Sequence, residues 1–200
     1  MKPDGPFRPI ENSYLVSGTR LFAGEYPGSP PSNPTTELKQ KLAGFLDAGI
    51  TVFVDLTDAA DGLAPYARAF DALAAERNVE IRYEQHTIRD MDVCDVAHMH
   101  RVLDVIDDSL AAGLGVYVHC WGGIGRTGMV IGCWLVRHGR SGSEALDEVN
   151  ALFRTMSPKK VARHGSWGSP QTALQRQMVR GWAAQEYSMR APADGAQQEA

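Results

Sequence analysis

Residues 115–136 read GVYVHCWGGIGRTGMVIGCWLV: a short apolar strand, five residues dominated by glycine, then a run that is apolar on nearly every side. A strand ending at Cys120 and a helix beginning near Arg126 leave WGGIG to turn the chain through a tight arc. Gly122, Gly123 and Gly125 permit this because glycine adopts positive φ without steric cost. A helix with no polar stripe has to run through an interior. This one stretch therefore calls for a layered α/β architecture in which a buried strand and a buried helix meet at a loop.

The remaining pattern supplies the other layers. YLVSGTRLFAGEY (14–26) reads as an N-terminal strand pair, and the Pro/Gly/Ser run 27–36 as a surface loop. Helical spacing over 37–48 leads to the strand ITVFVDL (50–56), a helix near 65–77 and a strand over 79–88. Asp95 is placed to cap a helix carrying Val96, Met99, Val102, Leu103, Ile106 and Leu110, with Gly113 as its stop. A capping box, Ser141 to Glu144, opens a helix through Met156. The last helix is expected to open at Ser169-Pro170 and to bury Leu174, Met178 and Trp182. The expected fold is α/β, with a central, mostly parallel sheet flanked by helices on both faces. One domain over 1–190 (core 14–188) and a frayed tail at 191–200 complete the expectation.

Composition narrows the partners. With 200 residues, 44% of them hydrophobic, the chain is long enough to bury a core without a metal or disulfide staple. A net charge of −4 argues against a nucleic-acid partner. MKPDGPFRPIENS lacks the apolar segment of a signal peptide, and no apolar run approaches the roughly 18 residues of a membrane helix. A cytoplasmic monomer with no membrane insertion is expected. Cys94, Cys120 and Cys133 are odd in number and irregularly spaced, as suits reduced thiols.

The loop between Cys120 and Arg126 has a chemistry of its own. Successive N–H groups from Trp121 to Arg126 can converge on one centre, and the helix N-terminus adds unpaired donors, so the turn suits phosphate. Converging N–H dipoles and a nearby guanidinium favour the thiolate of Cys120, which is the nucleophilic form. Arg126 has the planar fork that grips two phosphate oxygens together. Three other readings compete. Gly123, Gly125 and Gly128 also spell G-x-G-x-x-G, with Glu148 about 20 residues on. Yet Glu148 falls in the helix 143–156 rather than at the end of a second strand. A metal site drawn from Cys120, His119, His98 and His100 fails because helical residues two apart do not share a face. Cys120 as a plain buried hydrophobe leaves the glycines and the arginine without a purpose.

His119-Cys120-x5-Arg126-Thr127 resembles the signature of the cysteine-dependent protein tyrosine and dual-specificity phosphatases. The resemblance covers about 14–188 and implies that Cys120 forms a cysteinyl-phosphate while Arg126 and the amides of Trp121, Gly122, Gly123, Ile124 and Gly125 hold the phosphoryl group. It implies that Thr127 donates to the sulfur and that His119 orients the loop. It also implies a general acid upstream: Asp90, two residues past Ile88, is favoured over Asp92. Thr172-Ala-Leu-Gln175 resembles the segment that orients the hydrolytic water, with Gln175 favoured over Gln171. The loop carries no lysine, which favours a phosphorylated protein over a polyphosphorylated lipid; hydrolysis of phosphoinositide, inositol phosphate or RNA 5′-phosphate groups is the alternative within enzymes. A catalytically inactive phosphate-binding module is the alternative outside enzymes. No cofactor and no metal are implied. Loops 57–64, 89–95 and 159–169 would set pocket depth, with Lys159, Lys160, Arg163 and His164 available to dock an acidic substrate. A Cys94–Cys120 disulfide is a further expectation under oxidants.

Overall fold

β5 (Gly115–His119) is buried at every position, as a strand with helices over both its faces must be. It lies between β2 (Leu21–Gly24) and β3 (Ile50–Asp55), parallel to both. β1 (Ser13–Leu15) pairs antiparallel with β2, and β4 (Arg82–Gln85) runs parallel to β3, giving the order β1-β2-β5-β3-β4. The computed structural model describes residues 8–28 and 35–190. Most of the expected Pro/Gly/Ser loop (29–34) and the expected tail (191–200) lie outside them.

The two faces of the sheet bury different chemistry. Alternation sends Phe22, Phe53 and Tyr117 to one side, where α1 (Thr35–Asp47) and α2 (Ala67–Glu76) contribute Phe45 and Phe70. These rings meet edge to face, with Phe45 4.6 Å from Tyr117 and Phe53 4.8 Å from Phe70 between centroids. The other side takes Val52, Val54, Val116 and Val118 and packs them against α3 (Val96–Ala111) and α4 (Gly125–Arg137). Every residue of α4 from Gly125 to Val136 is buried, so the interior helix expected from its composition is present. α5 (Gly142–Phe153) and α7 (Ala173–Arg190) close over α4.

Several element ends differ from expectation. The strand expected over 79–88 is paired only at Arg82–Gln85. It is an edge strand with no fully buried residue, and beyond it the His86 and Ile88 amides still donate to Asp55 O and Leu56 O at 2.8 and 3.1 Å. A 3-10 turn at Ala59–Asp61 was not anticipated; Asp58 caps it and Asp61 completes the box by accepting from the Asp58 amide. The segment expected as a charged loop forms α6 (Pro158–His164), capped by Ser157 with Pro158 in the first turn. α7 begins at Ala173, three residues after Pro170, and Leu174 faces outward at 57% exposure. Met178, Val179 and Trp182 provide the buried stripe instead.

Candidate active site

The site grows from the C-terminal end of β5. Cys120 follows the strand directly, is 3% exposed, and its Sγ accepts from the Gly123 amide at 3.3 Å. Of the three loop glycines only Gly123 has positive φ, at 70°. A β-carbon there would also collide with the backbone of Gly24, at the end of β2. Gly125 is needed for a different reason: a β-carbon would lie 2.8 Å from Gln171 Oε1 and 3.1 Å from Gln175 Oε1. Gly128 leaves room for Ser169, whose hydroxyl donates to Ile124 O at 2.7 Å. Trp121 stands at the rim and Ile124 is buried beneath. The first amides of α4, having no carbonyl one turn earlier, remain donors available to an anion.

Arg126 is 1% exposed and is the most heavily bonded side chain of the site. Nη1 and Nη2 grip the two oxygens of Asp61 at 2.7 and 3.0 Å. Nη1 also donates to Ile88 O at 3.0 Å and Leu56 O at 3.4 Å, and Nη2 lies 3.0 Å from Asp90 Oδ1. Burial alone would raise the Asp61 pKa, but the hydrogen bonds from Arg126 and the Asp58 amide, with the guanidinium charge, hold it below the carboxylate range. Burial likewise opposes the charge on Arg126, and Asp61 and Cys120 more than restore it. The Nε–H of Arg126 is buried and has no hydrogen-bond partner among the described residues.

Asp90, the favoured acid from the resemblance, is thus brought to the arginine, with its side chain half exposed. The Asp92 carboxylate turns locally and accepts from the Val93 amide at 2.8 Å. Gln175 is fully buried rather than on a solvated face. Its Nε2 donates to Asp92 O at 3.1 Å and its Oε1 accepts from the Thr172 amide, so it ties the 89–95 loop to the start of α7. Thr127 is buried with its hydroxyl unbonded, and the hydrogen bond to sulfur implied by the resemblance is not made here. Asp61 escaped the sequence reading; its capping position in loop 57–64 was the available signal, since its partner is 65 residues away. Lys160 bonds Glu25 at 2.7 Å and so supports the loop behind β2 rather than standing free. Cys94 shares its field with Cys133, and burial together with Asp95 pushes its thiol up to about 12. A thiol so held is a poor exchange partner, which weighs against the Cys94–Cys120 disulfide. Among the described residues no group of three or more His, Cys, Asp or Glu is placed to hold a metal ion.

His119 is wholly buried beside Cys120, its Nε2 2.7 Å from the Tyr66 hydroxyl. Burial pushes its pKa down to about 4 against the opposing pull of Asp55.

Fold and loop together define a cysteine-dependent phosphatase of the protein tyrosine and dual-specificity class. A family model described as "Tc-R-P: Polymorphic toxin system, DSP-PTPase phosphatase" matches residues 28–140, and the chain belongs to that family. Solved structures of the same fold include Tk-PTP in its active form, 22% identical with a TM-score of 0.62, covering 86% of this chain and 97% of that one. PTPMT1 in complex with PI(5)P is 15% identical with a TM-score of 0.63, covering 90% and 99%. TpbA of P. aeruginosa in complex with pTyr is 18% identical with a TM-score of 0.55, covering 91% and 98%.

Two stability measurements check this electrostatic picture. Asp61→Ala strands a buried guanidinium and is expected to cost about 3–5 kcal/mol, whereas Asp90→Ala removes a half-exposed partner and costs under about 1 kcal/mol, read by urea unfolding. For His119, the unfolded chain binds a proton near pH 6.5 that the folded chain refuses until about pH 4. Stability therefore falls as pH drops through that window, by on the order of 3 kcal/mol. His119→Gln should flatten the slope by nearly one proton; an unchanged slope would assign it to other groups.

Proposed function

We propose that this phosphatase hydrolyses phosphomonoesters on proteins, phosphotyrosine first and phosphoserine or phosphothreonine as well, through a cysteinyl-phosphate on Cys120. The observation that carries the reading is the buried Cys120 sulfur under the Gly123 amide, with the Arg126 guanidinium locked beside it by Asp61. Sulfur attacks phosphorus in line and the P–O bond to the leaving group breaks. Arg126, through its free Nε–H and through Nη2, and the loop amides hold the non-bridging oxygens. Because the thiolate is the nucleophile and the guanidinium supplies the positive charge, the chemistry needs no metal.

In this reading Asp90 has two positions. It rests as a carboxylate on Arg126 Nη2 at 3.0 Å; an arriving phosphate competes for that donor, and the released carboxylate takes up a solvent proton and passes it to the leaving oxygen. Water then attacks the cysteinyl-phosphate, with Gln175 beside the loop at Gly125 to orient it and Thr127 to donate to the departing sulfur. The lysine-free loop supports a substrate with one phosphate per site. Exposed Trp121 and Met91, on the phosphate loop and the acid loop, offer apolar contact suited to an aromatic phosphoester. The pTyr complex of TpbA supports this choice by analogy, and the PI(5)P complex of PTPMT1 marks the competing substrate class.

Cys120→Ser is expected to reduce hydrolysis of an aryl phosphate in EDTA to background, while vanadate blocks the wild type. Activity surviving in the variant would remove the covalent mechanism. Asp90→Ala is expected to slow substrates with poor leaving groups by about 10²–10⁴-fold and those with good leaving groups far less. Equal slowing of both would show that Asp90 is not the acid.

A further inference from the structure

A cavity of about 390 Å³ opens beside the phosphate site on the aromatic face of the sheet. Its walls include the rings of Tyr26, Tyr66 and Tyr83 and the carboxylates of Asp55, Asp58 and Glu84, and among the described lining residues there is no lysine, arginine or histidine. We propose that this cavity binds a positively charged side chain of the substrate, so that the enzyme favours phosphopeptides with lysine or arginine within about three residues of the phosphorylated one. The inference rests on the protein-substrate reading above and adds a specificity subsite to it.

The tyrosines form a preset cage. Tyr26 and Tyr66 meet edge to face at 5.1 Å, and Tyr66 and Tyr83 at 6.0 Å. Each hydroxyl is already engaged: Tyr26 donates to Ala64 O, Tyr83 to Asp71, and Tyr66 bonds His119. What the three residues offer the cavity is therefore ring surface, which attracts cations through its negative face. Apolar rings alone would suit an uncharged group as well, and the carboxylates decide between the two. Asp55 Oδ1 is fixed by the Thr57 amide and hydroxyl at 2.8 and 2.6 Å, and Asp58 Oδ1 by the Ala60 amide at 2.7 Å. Such bonds orient both groups without neutralising them. Among the described residues neither makes an ion pair with lysine or arginine, and the imidazole 3.8 Å from Asp55 belongs to His119, which burial keeps neutral. Glu84 has only the partly exposed Arg82 at 3.1 Å. A wall of aromatic surface and three carboxylates, of which only Glu84 has a cationic partner among the described residues, selects a cation and repels a second phosphate.

The cavity adjoins the phosphate site along two walls. The Tyr26 amide donates to Trp121 O in the phosphate loop at 3.0 Å, and Asp58 heads the turn whose Asp61 grips Arg126. An extended peptide advances about 3.3 Å per residue, so a side chain one to three positions from the phosphorylated residue falls within reach.

The test uses phosphotyrosyl peptides identical except for arginine or its neutral analogue citrulline, placed at each of the three positions on either side. For at least one position the arginine peptide should show roughly tenfold higher kcat/KM, carried mainly by KM. The ratio should shrink at high salt and in Glu84→Gln, which keeps the shape of a side chain 32% exposed, and more so in Tyr83→Leu. Equal kcat/KM at every position, or a ratio that Glu84→Gln leaves untouched, overturns the subsite. If an aryl phosphate is hydrolysed but no peptide is, the protein-substrate reading falls. The cavity is then judged separately by titrating butylguanidinium and following the amide resonances of Tyr83 and Glu84. Saturable shifts there uphold a cation site, and their absence removes it.

Discussion

A guanidinium with almost no exposed surface is the interaction on which the rest of the site depends. Removing Arg126 from water is costly unless its charge and its donors are met. They are met from three separate parts of the chain: Asp61 from the turn after β3, the Leu56 carbonyl from the end of that strand, and Ile88 and Asp90 from the loop leading to α3. The turn at Asp61 and the loop carrying Ile88 and Asp90 lie 27 residues or more apart along the chain, while Leu56 is already fixed at the end of the strand. Because one buried cation needs all of them, they are drawn to the first turn of α4 and held in mutual register. The position of Asp90 is thus a consequence of satisfying Arg126.

The glycines of the phosphate loop express closeness more than freedom. Gly123 alone uses the left-handed region, and there the end of β2 lies against the chain. Gly125 and Gly128 have ordinary backbone angles but are overlain by two glutamines and by Ser169. The loop is braced by β2, by the start of α7 and by the Ser169 hydrogen bond to Ile124. Amides fixed this way are already oriented for an anion, so little reorganisation accompanies its arrival.

What the sequence disclosed and what it concealed divide along the range of the interactions. The strand, loop and buried helix from Gly115 to Arg137 lie within one continuous stretch, and local periodicity was enough to read them. The same holds for the caps at Asp95 and Ser141, whose partners are three residues away. Asp90 needed the family pattern, because nothing local distinguishes it from Asp92. For Asp61 the sequence offers only its capping position after Asp58; the guanidinium it grips is 65 residues distant, and no local pattern names it. α6 has seven residues and no buried one, so hydrophobic periodicity had nothing to register. Leu174 misled for the opposite reason, being apolar and in phase with Met178 yet outward-facing, since α7 meets α4 through Val179 and its neighbours.

The sheet also explains how recognition and catalysis can vary independently. Ligands of parallel sheets gather beyond the carboxyl ends of the strands, where loops diverge and helix N-termini point inward. Here the end of β5 builds the phosphate loop, while the ends of β3 and β4 supply Asp55, Glu84 and Gln85 to the neighbouring cavity. The two regions touch at His119, which precedes Cys120 and bonds Tyr66 in the cavity wall. Keeping that histidine neutral is what allows them to be neighbours, because an imidazolium there would put a positive charge next to the cage and neutralise Asp55. Burial under the aromatic layer performs that task. The ring-rich side of the core therefore does more than fill space: by keeping His119 uncharged it leaves the Asp55 carboxylate available to the cavity.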